Sequence, residues 1–328
     1  MVQQDEGMVL EADDEMSLLS STASLRSSIL STRDENGRQY HGYKDGKYVL
    51  PIDQAYDMVV TLANAFAQEE LYRQEYQYNL CLNTFGGYSF APLNTVHRVL
   101  DVGCGLGFWA CEFTEKHPEA EIIGVDLSPI QPQYIPQNVQ FEIDDLEEPW
   151  TFTFKFDYIH SLMMTGAFRD WPAFYRQAYE NLNQDGWLEI QDIDFPLVCD
   201  DGTLPDDSPM KRWSDLMLEA GERSGFHLNT CGKAAEMMKD AGFVDIVRIP
   251  FKWPMNRWPK DPRAKQIGGW VLENFTLGVE TICLALFTRF MGWTKEQVVE
   301  FADSVRADFQ DHNKHTYFNL YVTYGRKP

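Results

Sequence analysis

From residue 97 onward, short apolar runs alternate with segments whose apolar positions recur every three or four residues. The first pattern fits buried strands and the second fits amphipathic helices. Strands are predicted at 97–102, 122–125, 139–143, 156–160 and 187–193. Helices are predicted at 109–117 and 171–182, the latter closed by Gly186. Such alternation argues for a parallel sheet with helices on both faces. The last third is less regular. Helices are predicted at 210–223, 233–241, 265–290 and 294–312, strands at 243–249 and 316–324, and a Trp/Pro-rich loop at 251–262.

Upstream, Pro51 opens a helical pattern that runs to residue 83. Its apolar positions Ala55, Met58, Val59, Leu62 and Phe66 lie three or four apart. A short aromatic patch, Tyr40-His41-Gly42-Tyr43, precedes it. Residues 1–38 contain no aromatic residue, cluster acids at 11–15 and are dense in serine from 17 to 31. Such a segment cannot bury enough apolar surface to offset its ordering entropy. The expectation is a disordered tail at 1–38, with a phosphorylatable regulatory tail as the alternative. One domain is expected at 39–328. It comprises a helical cover at 51–83, a Rossmann-like core at 97–249 and 316–324, and a helical insertion at 250–315.

Composition narrows the partners. The net charge of −22 repels nucleic-acid phosphates and anionic membranes, and no dense Lys/Arg run overrides it. Neither partner is expected. The six cysteines show no CxxC pair, which argues against a zinc site, and no metal is expected. The acidic start resembles neither a secretory signal nor a mitochondrial presequence, so an intracellular, reducing location with free thiols is expected. The apolar stretch at 271–291 is interrupted by Glu273, Glu280 and Arg289. It reads as a buried or amphipathic helix rather than a membrane span.

The chemistry begins at Val99-Leu100-Asp101-Val102-Gly103-Cys104-Gly105-Leu106-Gly107. Here an apolar strand runs straight into a glycine turn, and a helix follows. Glycine permits positive φ and close approach of a ligand, while the helix start offers free N–H groups. The spacing is GxGxG, not the GxGxxG of dinucleotide sites. Asp101 stands where it could meet the amino group of a methionine moiety. Asp126, nineteen residues past Gly107, ends the next strand, where a carboxylate can accept both ribose hydroxyls. Asp144 and Asp145 end the third strand and suit an adenine amino group. Each acid alone is more often a cap, but three at successive strand ends behind a glycine turn point to S-adenosylmethionine.

The set VLDVGCGLG, IIGVDLSP, FEIDDLEEPW, FDYIHSL and DGWLEIQDI resembles the class I, seven-stranded methyltransferases. From about residue 40 to the C-terminal YFNLYVTYGRKP, the chain is similar to the LaeA-like methyltransferases of filamentous fungi. The resemblance implies an α/β Rossmann-like fold with strand order 3-2-1-4-5-7-6, the last strand antiparallel, and helical lid insertions. It implies that Asp101, Gly103 and Gly105 hold the methionine end of the cofactor. Asp126 would hold the ribose with Leu127 beside the adenine. Asp145 would reach the adenine amino group, with Asp144 the second choice. Cys104 departs from many relatives and reads as a small packing residue or, alternatively, a reactive thiol.

Ligands of open α/β sheets bind outside the carboxyl ends of the strands. His160 ends the fourth strand and is the candidate base or acceptor contact; the alternative is a packing histidine. Ser161, Met163 and Met164 are candidate pocket residues, and Asp192 and Asp194 either bind the acceptor or cap the next segment. Trp253, Trp258 and Trp270 either line a lid over a large, partly apolar acceptor or pack the insertion onto the core. Two functions follow. The first is a methyltransferase acting on a small-molecule hydroxyl, carboxyl or nitrogen in fungal secondary metabolism, located in the cytoplasm. The second is a nuclear regulator of secondary-metabolite gene expression, acting through protein partners.

Overall fold

A computed structural model describes residues 31–47, 49–52 and 64–328. The expected helix at 51–83 therefore has its 53–63 part outside the described residues, as do residues 1–30 of the expected tail. The first described element is a hairpin, β1 (Thr32–Glu35) and β2 (Arg38–His41), paired Thr32 to His41 and Glu35 to Arg38. This corrects the tail boundary at 38. The turn is Asn36-Gly37, with both residues at positive φ, the pairing that matches strand twist in a two-residue hairpin. What holds the hairpin comes from far along the chain. Arg289 pairs with Glu35 at 2.7 Å and lies 4.8 Å over the ring of buried Tyr40.

The core is a seven-stranded sheet. Its strands are β3 (Arg98–Val102), β4 (Glu121–Asp126), β5 (Val139–Ile143), β6 (Phe156–Leu162), β7 (Leu182–Cys199), β8 (Val244–Pro254) and β9 (Thr316–Arg326). Across the sheet they run β5-β4-β3-β6-β7-β9-β8, with β9 antiparallel to both neighbours. This is the expected 3-2-1-4-5-7-6 order. Residues alternate between faces as a strand requires. Val99 and Ile122 pack with Trp109 and Phe113 of α2 (Phe108–Lys116). Leu100 and Val102 face the other way, toward Phe174 and Ala178 of α3 (Trp171–Asn181). The caps account for the helix starts. Asp170 accepts from the Ala173 N–H to open α3, and Thr294 with Gln297 forms a capping box on α7 (Lys295–Phe309).

Two strands run well past their predicted ends. β7 continues to Cys199 and β8 to Pro254, because β9 pairs with both over its own first half. This extension carries the helices α1 (Asn64–Phe85), α4 (Pro209–Ser224), α6 (Pro262–Phe290) and α7; α5 (Ala234–Ala241) lies beside α3. Trp213, Trp253, Phe275, Phe309 and Phe318 form the centre of this second core. Each such side chain contributes about 1.5–3 kcal/mol when fully buried. α6 is long and apolar enough to cross a membrane by length and composition. Its Val271, Phe275, Val279, Cys283 and Phe287 are nonetheless buried within the protein.

Trp253 is therefore a core residue, fully buried on β8, its indole N–H donating to Thr84 Oγ1 at 2.8 Å. Trp258 donates to the Thr316 carbonyl at 2.9 Å, and Trp270 packs against the same core. The insertion is anchored by these rings rather than lined by them as a lid.

Candidate active site

β3 enters its turn between β4 and β6, at the carboxyl edge of the sheet. Gly103, Gly105 and Gly107 all have positive φ, of 68, 51 and 74°. The Gly103 and Cys104 N–H groups donate to the Val125 carbonyl at 2.8 and 3.1 Å, which ties the turn to β4. A Cβ on Gly103 would stand 2.0 Å from Met164 Sδ, so no other residue fits there without moving the cavity wall.

All seven residues expected to hold the cofactor line one cavity: Asp101, Gly103, Gly105, Asp126, Leu127, Asp144 and Asp145. Asp101 is 2% exposed. Its Oδ1 accepts from His160 Nδ1 at 3.0 Å, while its Oδ2 is buried with no hydrogen-bond partner among the described residues. A buried, unpaired carboxylate oxygen at a cavity wall is costly and suits a cationic ligand group. The ammonium of a methionine moiety meets that requirement. Asp126 accepts from the Gly105 N–H through Oδ2 and from the Ser128 N–H through Oδ1, both at 2.9 Å. Burial raises its pKa, and the two N–H groups work against that rise. Each oxygen keeps a second lone pair for a ribose hydroxyl. The donor set therefore fits S-adenosylmethionine.

At the end expected to hold the adenine, buried Asp145 accepts from the Glu147 N–H at 3.0 Å and pairs with Lys47 Nζ at 2.9 Å. Asp144 is exposed and accepts from the Asp145 N–H at 2.8 Å. Lys47 also pairs with Glu147 at 3.0 Å, so the segment after the hairpin closes this end of the cavity. Sequence reasoning missed Lys47. It also missed Arg73, Gln74, Gln77 and Tyr78, which line the cavity from α1. Their spacing is that of one helix face, but only the packing of α1 shows which face meets the site.

His160 does not line the cavity. It is fully buried behind Asp101, its ring stacked on Trp109 at 3.7 Å and 6°. Because a carboxylate only accepts, Nδ1 carries the proton of this bond. Asp101 and His160 are Cα partners on β3 and β6, so their side chains leave the sheet on the same face. The geometry makes His160 the residue that orients Asp101, not the expected base. His160→Phe is expected to weaken binding of S-adenosylhomocysteine by about 1–2 kcal/mol through the disoriented carboxylate. A variant that keeps wild-type affinity but loses turnover would reinstate the base.

Two other expectations change. Asp192 and Asp194 do not line the cavity: Asp192 Oδ1 accepts from the Ile193 N–H at 2.8 Å, and Asp194 accepts from the Gly232 N–H at 3.1 Å. Both acids lie within β7 and hold backbone N–H groups at Ile193 and Gly232, so they neither line the cavity nor cap the start of a following segment. Burial pushes the Asp192 carboxyl up to about 7. The folded state then keeps a proton that the unfolded chain has lost, so stability falls as pH rises from about 4 to 7. Asp192→Asn is expected to flatten that slope and to add about 2 kcal/mol at pH 8. Thermal melts across this range test it, and an unchanged slope would count against it. Ser161 is buried away from the cavity, whereas Met163 and Met164 line it. Cys104 is buried and lines the cavity, and desolvation drives its thiol pKa well above the usual value, which disfavours the reactive-thiol alternative.

Comparison with known proteins agrees with this geometry. The family model described as a methyltransferase domain matches residues 71–247, more than half of the chain. The chain is 37% identical over 311 residues to the methyltransferase pytC of Aspergillus terreus, covering 94% of this chain and 92% of that one. It is 33% identical over 302 residues to the secondary metabolism regulator LAE1 of Cochliobolus heterostrophus, covering 90% and 94%. Among solved structures it resembles phosphoethanolamine N-methyltransferase 2 of Haemonchus contortus in complex with S-adenosyl-L-methionine. That match has TM-score 0.50 and 17% identity, over 96% of this chain and 74% of that one, and it bears on the fold alone. With relatives that align along nearly its whole length and a glycine turn whose acids suit the methyl donor, the chain belongs to the LaeA-like class I S-adenosylmethionine-dependent methyltransferases.

Proposed function

We propose that this methyltransferase acts on a small-molecule acceptor in fungal secondary metabolism. One observation carries the reading. Beside the residues expected to hold the cofactor, the same cavity is lined by Gln77, Tyr78, Phe108, Trp109, Leu162 and Met163. This lining joins α1, the glycine-turn helix and the end of β6, and it mixes rings, a thioether and an amide. Such a lining suits a compact, partly apolar acceptor with a few polar groups. The kinship with pytC and LAE1 supports the metabolic setting.

When bound at the glycine turn, S-adenosylmethionine would supply an electrophilic methyl group for in-line transfer to the acceptor, with the thioether S-adenosylhomocysteine as the leaving group. The chain's task is to hold the acceptor atom on that line and to keep water out. Among the described residues, the lining includes no histidine. The Tyr78 hydroxyl donates to Glu112 at 2.7 Å, and burial raises its pKa. Catalysis then rests on positioning and on the acceptor's own acidity, which favours a carboxyl, a phenol-like hydroxyl or an unprotonated nitrogen.

Incubating the purified chain with labelled cofactor and a metabolite extract of a producing fungus tests the proposal. Label in the small-molecule fraction supports it. Label in protein alone, or in nothing, sinks it. The similarity to LAE1 favours the second reading, a regulator acting through protein partners, and a stable nuclear partner recovered by pull-down would support that instead. The first reading places the chain in the cytoplasm and the second in the nucleus.

A further inference from the structure

The methionine end of the cofactor is a zwitterion, with an ammonium and a carboxylate on one carbon. Asp101 provides for the ammonium, and no residue considered so far provides for the carboxylate. Among the described residues that line the cavity, two carry a fixed positive charge, Lys47 and Arg73. Lys47 is at the end expected to hold the adenine, against Asp145 and Glu147. Arg73 is on α1 beside Gln74, whose Oε1 lies 3.8 Å from the place a Cβ on Gly105 would take. That puts this stretch of α1 against the glycine turn, and Arg73 lines the same cavity as Asp101.

The guanidinium of Arg73 is held in place from behind. Its Nε and Nη2 donate to the two oxygens of Glu70 at 2.8 Å each, and Nη1 donates to Gln77 Oε1 at 2.8 Å. Arg73 is 4% exposed and Glu70 is 2% exposed, yet only Arg73 lines the cavity. Helix α6 makes room for its stem: a Cβ on Gly278 would come within 2.8 Å of Arg73 Cδ. A glycine inside a helix costs about 1 kcal/mol relative to alanine, and here it permits this close approach. A buried ion pair is a weak device for stability alone, because desolvation offsets its attraction. A charge oriented at a cavity wall is better explained by a ligand charge.

We propose that Arg73 binds the carboxylate of the cofactor's methionine end, with Glu70 as its positioning residue. The planar fork of a guanidinium matches a carboxylate. The site then has two matched parts. His160 stands behind Asp101 for the ammonium, and Glu70 stands behind Arg73 for the carboxylate.

The probes are S-adenosylhomocysteine and its decarboxylated analogue, which keeps the adenosine and the ammonium and lacks only the carboxylate. Calorimetry on the wild-type chain is expected to show S-adenosylhomocysteine binding about tenfold to a hundredfold tighter. Glu70→Gln/Arg73→Gln removes both charges of this pair together. This variant is expected to bind the two probes equally, at the wild-type affinity for the analogue. The proposal is overturned if the wild type does not discriminate, if the double variant keeps the wild-type ratio, or if it loses affinity for both probes alike. Should the double variant not fold, Arg73→Lys decides. It keeps the charge without the fork and is expected to lower the ratio, and an unchanged ratio overturns the assignment.

Discussion

Replacing Asp101 with asparagine is expected to weaken binding of S-adenosylhomocysteine by about 3 kcal/mol, more than a hundredfold. The change is isosteric, so the strand and the glycine turn should persist. The negative charge is what disappears. Among the described residues Asp101 Oδ2 is buried without a hydrogen-bond partner, so a ligand ammonium there meets no competing hydrogen bond from them. An asparagine amide presents either a neutral oxygen or an N–H to that cation, and neither balances its desolvation. His160, still stacked on Trp109, would hold the amide in place but could not restore the charge. Calorimetric titration checks this. Wild-type affinity in Asp101→Asn would mean that the ammonium lies elsewhere.

Asp126→Ala is expected to cost a similar amount, about 3 kcal/mol of cofactor affinity, for a compound reason. Loss of two ribose contacts accounts for part. The remainder comes from the turn, because the same carboxylate anchors the Gly105 and Ser128 N–H groups. Two backbone donors would be left without their acceptor at the base of the site. Asp126→Asn keeps one acceptor oxygen and should lose less. A ranking with alanine worst, asparagine intermediate and wild type best is expected by calorimetry. Equal affinity for all three would remove Asp126 from the ribose.

The parts of this molecule that were legible from its sequence share a property: each is local. The step from Val99–Val102 into a glycine turn, Asp126 at the end of β4 and Asp144-Asp145 at the end of β5 are read from short stretches whose chemistry does not depend on distant partners. Strand order was legible only through resemblance to a family with that order. The hairpin at Thr32–His41 was missed although its Asn36-Gly37 turn is a local signal. Its acidic and serine-rich surroundings suggested disorder, and what holds it, Arg289, lies 254 residues from Glu35 in sequence.

The role of His160 shows the limit most clearly. The sequence placed it correctly at the end of a strand, next to the crevice. Whether it faced the crevice or Asp101 depended on β3 and β6 being adjacent and in register, a pairing across 59 residues. The tryptophans of the insertion follow the same rule. Trp253 was expected on a loop, but β9 extends β8 far enough to carry it into the core. Lys47 and the Arg73 face of α1 were silent because ordinary charged residues on a helix or loop carry no mark of what they will face.

The sequence by itself determined the methyl donor, since a strand, a glycine turn and acids at strand ends form one binding pattern along a short stretch of chain. The tertiary structure decided which charges face that donor and which stand behind them. The reason is physical. A hydrogen bond or an ion pair depends on a separation of about 3 Å, and separations between residues far apart in sequence exist only once strands pair and helices pack.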